Sequence, residues 1–119
     1  EESSNNVKAA FLLEEGGEAV RLMRDSSWQN IGNLTVDTDY FFNFNGTSWA
    51  TTTTNTYTDG FFERKFSLSE VYRDANEDIV TVGGVLDTGT KKLNVSVSWM
   101  SRTGTSTRTI STYITNIFE

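Results

Sequence analysis

The stretch from Val7 to Ser26 constrains the fold most, because it alone carries a convincing helical period. Its apolar side chains recur at the three- and four-residue spacing of one helix face. They are Ala9, Leu12, Leu13, Ala19, Val20 and Met23. A single helix cannot bury such a face alone, so the rest of the chain must supply the surface on which it packs. The sequence therefore predicts a helix over residues 7–26 as the organising element.

The opposite side of this helix also carries large apolar residues. Val7, Phe11 and Leu22 lie there, interleaved with acidic and basic side chains. A helix that is apolar on both sides often has two partners, its own sheet and something outside the domain. Scattered apolar residues on a protein surface are also common, and that interpretation is equally open. We take Val7, Phe11 and Leu22 as candidate subunit-interface residues.

Two adjacent glycines, Gly16 and Gly17, interrupt the middle of the predicted helix. Each costs roughly 1 kcal/mol relative to alanine in a helix. Such a cost suggests close approach by another backbone, or a bend in the helix. Gly16 falls in the apolar stripe, so the sequence favours close packing of the helix onto a strand at this point.

The chain after Trp28 indicates strands and turns, so we expect one α+β domain over residues 1–119, with strands and turns filling residues 40–118. Asn45-Gly46 is a strong hairpin signal. The strand patterns cover Tyr40–Phe44, Thr47–Thr54, Phe62–Tyr72, Ile79–Leu86, Leu93–Trp99 and Ser106–Phe118. Alternation in the third of these places Tyr72 on the same side as Phe66. Trp99 is expected inside, and Trp49 is expected to be the most exposed tryptophan.

The composition argues against several classes of function but does not identify one. The 119 residues carry a formal charge of −6, which disfavours binding to nucleic acid or to anionic lipid. There is no histidine and no cysteine, so the commonest general base, the commonest transition-metal ligand and thiol chemistry are all missing. No nucleophile or phosphate-loop motif is present either. We expect a protein that is not an enzyme and has no cofactor, with calcium as the one candidate ligand ion.

The calcium candidate is the acidic stretch that contains Asp74, Asn76 and Asp78. Oxygen ligands at alternate positions are typical of a loop that wraps a hard cation. The stretch is not an EF-hand, because Ile79 stands where glycine is needed and Val85 where a bidentate glutamate is needed. A solvated acidic turn between two strands is the alternative.

Three segments resemble bacterial prepilin-type proteins, the minor pilins of type IV pili and the pseudopilins of type II secretion. The most distinctive is the E-E-G-x-E-A-V-R-x-x-R-D run from Glu14 to Asp25. The second is VYRDANEDI, from Val71 to Ile79, and the third is the tail from Lys91, which closes with S-T-Y-I-T-N at Ser111 to Asn116.

The resemblance implies a pilin-like fold, in which an N-terminal helix lies across an antiparallel sheet. It implies a structural subunit of a cell-surface pilus, with a precursor in the inner membrane, or of a periplasmic pseudopilus. The partners would be other pilin subunits, through the helix, and the inner membrane, through an apolar half-helix that this sequence does not contain. Major and minor subunits are not distinguished.

A second hypothesis from another class is a secreted, adhesive module that binds surface glycans. Trp49 and Tyr57 would then stack on sugar rings. Minor pilins can also be adhesive, so the two hypotheses are compatible.

Overall fold

The computed structural model describes residues 2–118, and of Glu2 only the backbone. Its elements are α1 (Glu2–Ser26), α2 (Gln29–Gly32), β1 (Tyr40–Phe44), β2 (Trp49–Thr52), β3 (Glu63–Arg73), β4 (Ile79–Val80), β5 (Val85–Ser101) and β6 (Gly104–Thr115). The first helix begins at Glu2 and not at Val7, so the polar residues that precede Val7 continue the helix. No helix in this part of the chain is both long and apolar enough to cross a membrane.

The strands form one sheet in the order β2-β1-β3-β5-β6, and β4 pairs with the end of β3. Each neighbouring pair of strands is antiparallel. The β5–β6 ladder is the most regular, because its 12 partner pairs run from Thr90↔Thr115 to Ser101↔Gly104 without a shift. The long strands β3 and β5 therefore form the centre of the sheet, and β2 and β6 form its edges.

The hydrophobic core lies between α1 and one face of the sheet. The apolar stripe of the helix is buried there against the inward side chains of β5, which are Leu93, Val95, Val97 and Trp99. The predicted alternation of β5 is thus confirmed. The predicted close packing of Gly16 onto a strand is confirmed, although the neighbour is a side chain and not a backbone: a Cβ atom added there would lie 3.0 Å from Cγ1 of Val95 on β5.

One prediction about a single side chain is wrong. Tyr72 is exposed, and Val71 is buried in its place. The cause is a register shift between Glu70 and Tyr72 in the β3–β5 ladder, which moves the following residues to the opposite side. Trp49 and Trp28 are both half-buried against the core, so the prediction that Trp49 is the most exposed tryptophan stays a prediction.

The pilin-like fold that was predicted from the resemblance is also corrected. The described residues form a compact α+β fold, a mostly antiparallel sheet with one N-terminal helix, and nothing in it identifies the pilin-like architecture. The reason is physical. The resembling segments lie within α1, across the turn that links β3 to β4, and along β5 and β6. Local patterns there favour helix or strand, but they do not specify how strands are ordered in a sheet.

Candidate interaction surface on the first helix

A buried arginine fixes the orientation of α1 on the sheet. Arg64 lies on the inward side of β3, and only 8% of it is exposed. Its Nη1 donates to Oε1 of Glu15 at 2.7 Å and to the carbonyl oxygen of Leu12 at 3.2 Å. Because both partners lie on α1, Arg64 joins the middle of the helix to the start of β3, the central strand of the sheet.

Two aromatic rings complete the surroundings of this arginine. Its Cζ lies 4.9 Å from the ring centroid of Phe42 and 5.5 Å from that of Trp49. A guanidinium over an aromatic face gains electrostatic stabilisation, and more of it when water is excluded. Sequence reasoning missed this cluster, although Arg64 interrupts the inward row of Phe62 and Phe66, which was the available signal.

With the helix fixed in this way, the three predicted interface residues lie on its outer side. The exposed fractions are 72% for Val7, 58% for Phe11 and 47% for Leu22. Fifteen residues of helix separate Val7 from Leu22, a rise of about 22 Å. We call the surface formed by Val7, Phe11, Glu14, Glu18 and Leu22 the outer helix face.

The charges of the outer helix face lie between its apolar ends. Glu14 and Glu18 are exposed. Glu18 has a loose neighbour in Arg21, with Nη1 at 3.7 Å from its Oε2. At the margin of the face, Lys8 forms an exposed ion pair with Asp59 at 3.3 Å. The face is therefore apolar at both ends and acidic in the middle, and its shape is that of a rigid helix.

The structure brings Asp74, Asn76 and Asp78 together in one tight turn. Oδ1 of Asp74 accepts the backbone N–H groups of Asn76 and Asp78 at 2.9 and 3.0 Å. Across residues 2–118, no group of three or more acidic side chains is placed to hold a metal ion. Calcium binding stays a prediction. A thermal melt with and without a chelator tests it, and an unchanged midpoint would remove it.

An ion pair that sequence reasoning missed lies beside this turn. Nε of Arg73 donates to Oδ2 of Asp87 at 2.7 Å, and its Nη1 donates to the carbonyl oxygen of Glu77 at 2.9 Å. The bond from Arg73, with help from the N–H of Gly89 and the hydroxyl of Thr90, lowers the pKa of Asp87 below its ordinary value. The pair holds the turn against the start of β5. Arg73 and Asp87 are fourteen residues apart, and no sequence pattern indicated that they would pair.

A groove that could hold a glycan is present, but only one of the two predicted aromatic residues lines it. A cavity of about 360 Å³ lies between the second half of α1 and the β1–β2 loop. Leu22, Asn30, Thr47 and Trp49 are among its lining residues, and Tyr57 is not. The Trp49 ring also packs against Phe42 and Phe44, with centroids at 5.9 and 4.8 Å, so much of its surface is already used.

Comparison with known proteins gives no relative for this chain. No protein-family model, curated protein or solved structure matches it. The prepilin-type resemblance therefore has no support from these comparisons.

Proposed function

We propose that this chain is a structural, non-catalytic subunit of an extracellular or periplasmic filament, in which the outer helix face is buried against neighbouring subunits. The observation that carries the proposal is the exposure of Val7, Phe11 and Leu22 on one side of a helix whose other side is fully packed. Burial of each large apolar side chain contributes roughly 1.5–3 kcal/mol, before the cost of association is counted.

The rigidity of the helix adds to this argument. Arg64 and Glu15 hold the helix to the sheet, and the close contact at Gly16 leaves little room for it to roll. A preorganised face loses less conformational entropy when it binds. The prepilin-type resemblance of Glu14–Asp25, a run that includes Glu14, Glu18 and Leu22 of the outer helix face, supports the same function. Anchoring in the inner membrane belongs to the same proposal, and the gene sequence upstream of Glu1 tests it.

The proposal can be tested in the organism that encodes the chain. The gene is deleted and restored as the wild type, as Phe11→Glu or as Val82→Glu, and filaments are sedimented and labelled with an antibody to the protein. We expect the wild type in the filaments, at least a tenfold loss with Phe11→Glu, and no loss with Val82→Glu. Val82 is a matched control, since it is 87% exposed and lies outside α1.

Two results would overturn the proposal. One is a wild-type protein that is abundant in cells but absent from every filament fraction. The other is equal incorporation of Phe11→Glu and the wild type. Circular dichroism of the purified variants is the folding control, because a loss of assembly is informative only if Phe11→Glu keeps its helix.

The cavity beside Trp49 favours a second candidate function, glycan binding. Its lining combines an indole with the side chains of Asn30, Thr47 and Ser48, the mixture of apolar and hydrogen-bonding groups that sugars require. A glycan array with the purified protein tests it, with Thr47→Trp to fill the cavity. No binding at millimolar glycan, or equal binding by the filled variant, would remove this function.

A further inference from the structure

The last strand of the sheet, β6, is a long edge with one partner. It runs from Gly104 to Thr115, about 40 Å of extended chain. Within residues 2–118 it pairs with β5 alone. Its other side presents a row of backbone N–H and C=O groups, which is a ready template for another strand.

This edge carries one of the usual protections against pairing, because Arg108, opposite Val97, lies on the inward side of the strand, and it lacks the others. Proteins blunt exposed edges with proline, lysine, bulges or very short strands. The chain contains no proline, Arg108 is the one charged residue of β6, and its ladder with β5 has no bulge. The opposite edge differs, because β2 has only 4 residues. A long edge with a single protecting charge is therefore a feature of β6 in particular.

We propose that β6 pairs with β6 of a second copy of this chain, antiparallel and about a two-fold axis at Ile110. In this register Thr109 lies opposite Ser111, Arg108 opposite Thr112, and Thr107 opposite Tyr113. Residues 105–115 are then all paired, so nearly the whole strand is used. The opposed pairs include β-branched threonines and Tyr113, and residues of these types stabilise neighbouring antiparallel strands when they lie opposite each other.

The charge of Arg108 excludes a register centred on that residue and is compatible with an axis at Ile110. An axis at Arg108 would place two arginines directly opposite each other, which is destabilising. With the axis at Ile110, the two Arg108 side chains are separated by four residue steps, about 13 Å along the strands. That distance exceeds the screening length of about 8 Å at physiological salt. A second copy therefore meets no like-charge contact within this strand pair.

The packing of β6 points to the same partner. Ile110 is half-buried against the core on the helix side of the sheet, and the axis sets it against Ile110 of the second copy. On the outer side, hydroxyls already bridge strands, with Oγ of Ser98 and Oγ1 of Thr107 2.9 Å apart. Pairing at β6 extends the apolar row on the helix side and the hydroxyl row on the outer side across the two copies. It gives one continuous sheet with both helices on the same face. This inference does not depend on the filament proposal.

Disulfide formation tests the register directly, because the chain contains no cysteine. Directly opposed residues in an antiparallel pair have Cα atoms about 4.5–5.5 Å apart, within the range that a disulfide spans. Ile110→Cys should oxidise to a covalent dimer. Thr105→Cys, a matched control on the same strand, should not, but it should form a mixed dimer with Thr115→Cys. Equal cross-linking of the Ile110 and Thr105 variants would overturn the proposal.

A charge swap at exposed positions tests the pairing without removing an apolar residue. One double variant carries Thr109→Lys and Ser111→Lys, and the other carries Thr109→Glu and Ser111→Glu. Light scattering should show a wild-type dimer at high micromolar concentration, two variants that are monomeric alone, and a dimer when they are mixed. A wild type that stays monomeric up to millimolar concentration, or a dimer that ignores these charges, would overturn the proposal.

Discussion

Nη1 of Arg64, at the start of β3, lies 2.7 Å from Oε1 of Glu15, in the middle of α1. The guanidinium is almost completely buried, whereas the glutamate is partly exposed, so the pair closes the margin of the helix–sheet interface. This pair, together with Gly16, decides which side of the helix is covered and which side is left for a partner.

Replacing Arg64 should destabilise the protein markedly. Arg64→Ala removes the ion pair, the bond to the Leu12 carbonyl and the packing on two aromatic rings, and we expect a loss of about 3 kcal/mol in the free energy of unfolding. Urea denaturation measures it. Lys8→Ala is the control, since it breaks an exposed pair worth less than about 1 kcal/mol. Similar losses in the two variants would show that Arg64 has no special role.

The two adjacent glycines should respond in opposite directions. A Cβ at Gly16 would lie 3.0 Å from the fully buried Val95, whereas at Gly17 the nearest atom is Nη1 of the flexible Arg21, at 3.8 Å. Gly17→Ala should therefore gain up to about 1 kcal/mol of stability from helix propensity. Gly16→Ala gains the same propensity, but overpacking against Val95 costs about 1–3 kcal/mol, so we expect a net loss of up to about 2 kcal/mol. Thermal melts of the two variants check the sign, and two stabilised variants would contradict the packing described for Gly16.

The Arg73–Asp87 pair should make the free energy of unfolding decrease as the pH falls into the acidic range. The folded pKa of Asp87 lies below its unfolded value, so its contribution is complete above about pH 4 and is lost as the pH falls through the lower, folded value. Asp87→Asn should cost about 1 kcal/mol or less at pH 7, since the pair is near the surface. The difference from the wild type should shrink toward pH 2. Urea denaturation at both pH values measures it, and a constant difference would show that this carboxylate contributes nothing as a charge.

Substitutions on the outer helix face should leave the isolated fold nearly unchanged. Phe11→Ser should change stability by no more than about 0.5 kcal/mol, because the ring is largely exposed. Leu12→Ala, one residue further, should cost about 2–5 kcal/mol, because that side chain is buried in the core. If Phe11→Ser were as damaging as Leu12→Ala, Phe11 would belong to the fold and not to an interface.

The sequence predicted those features that depend on local periodicity. The helix stripe, the close approach at Gly16 and the alternation from Leu93 to Trp99 were all visible in the spacing of residues. The register shift after Glu70 was not, because it depends on pairing with β5 and moves Tyr72 outward. The Arg64–Glu15 and Arg73–Asp87 pairs join distant parts of the chain, and their partners are fixed only by strand order.

The most direct test of the central claim is the accessibility of Phe11→Cys in the assembled state. The chain has no other cysteine, so a maleimide label reports this position alone. We expect rapid labelling of the soluble protein, strong protection in sedimented filaments, and no protection of Val82→Cys in the same filaments. Labelling of Phe11→Cys at the same rate in filaments and in solution would contradict the assignment of the outer helix face as the subunit interface.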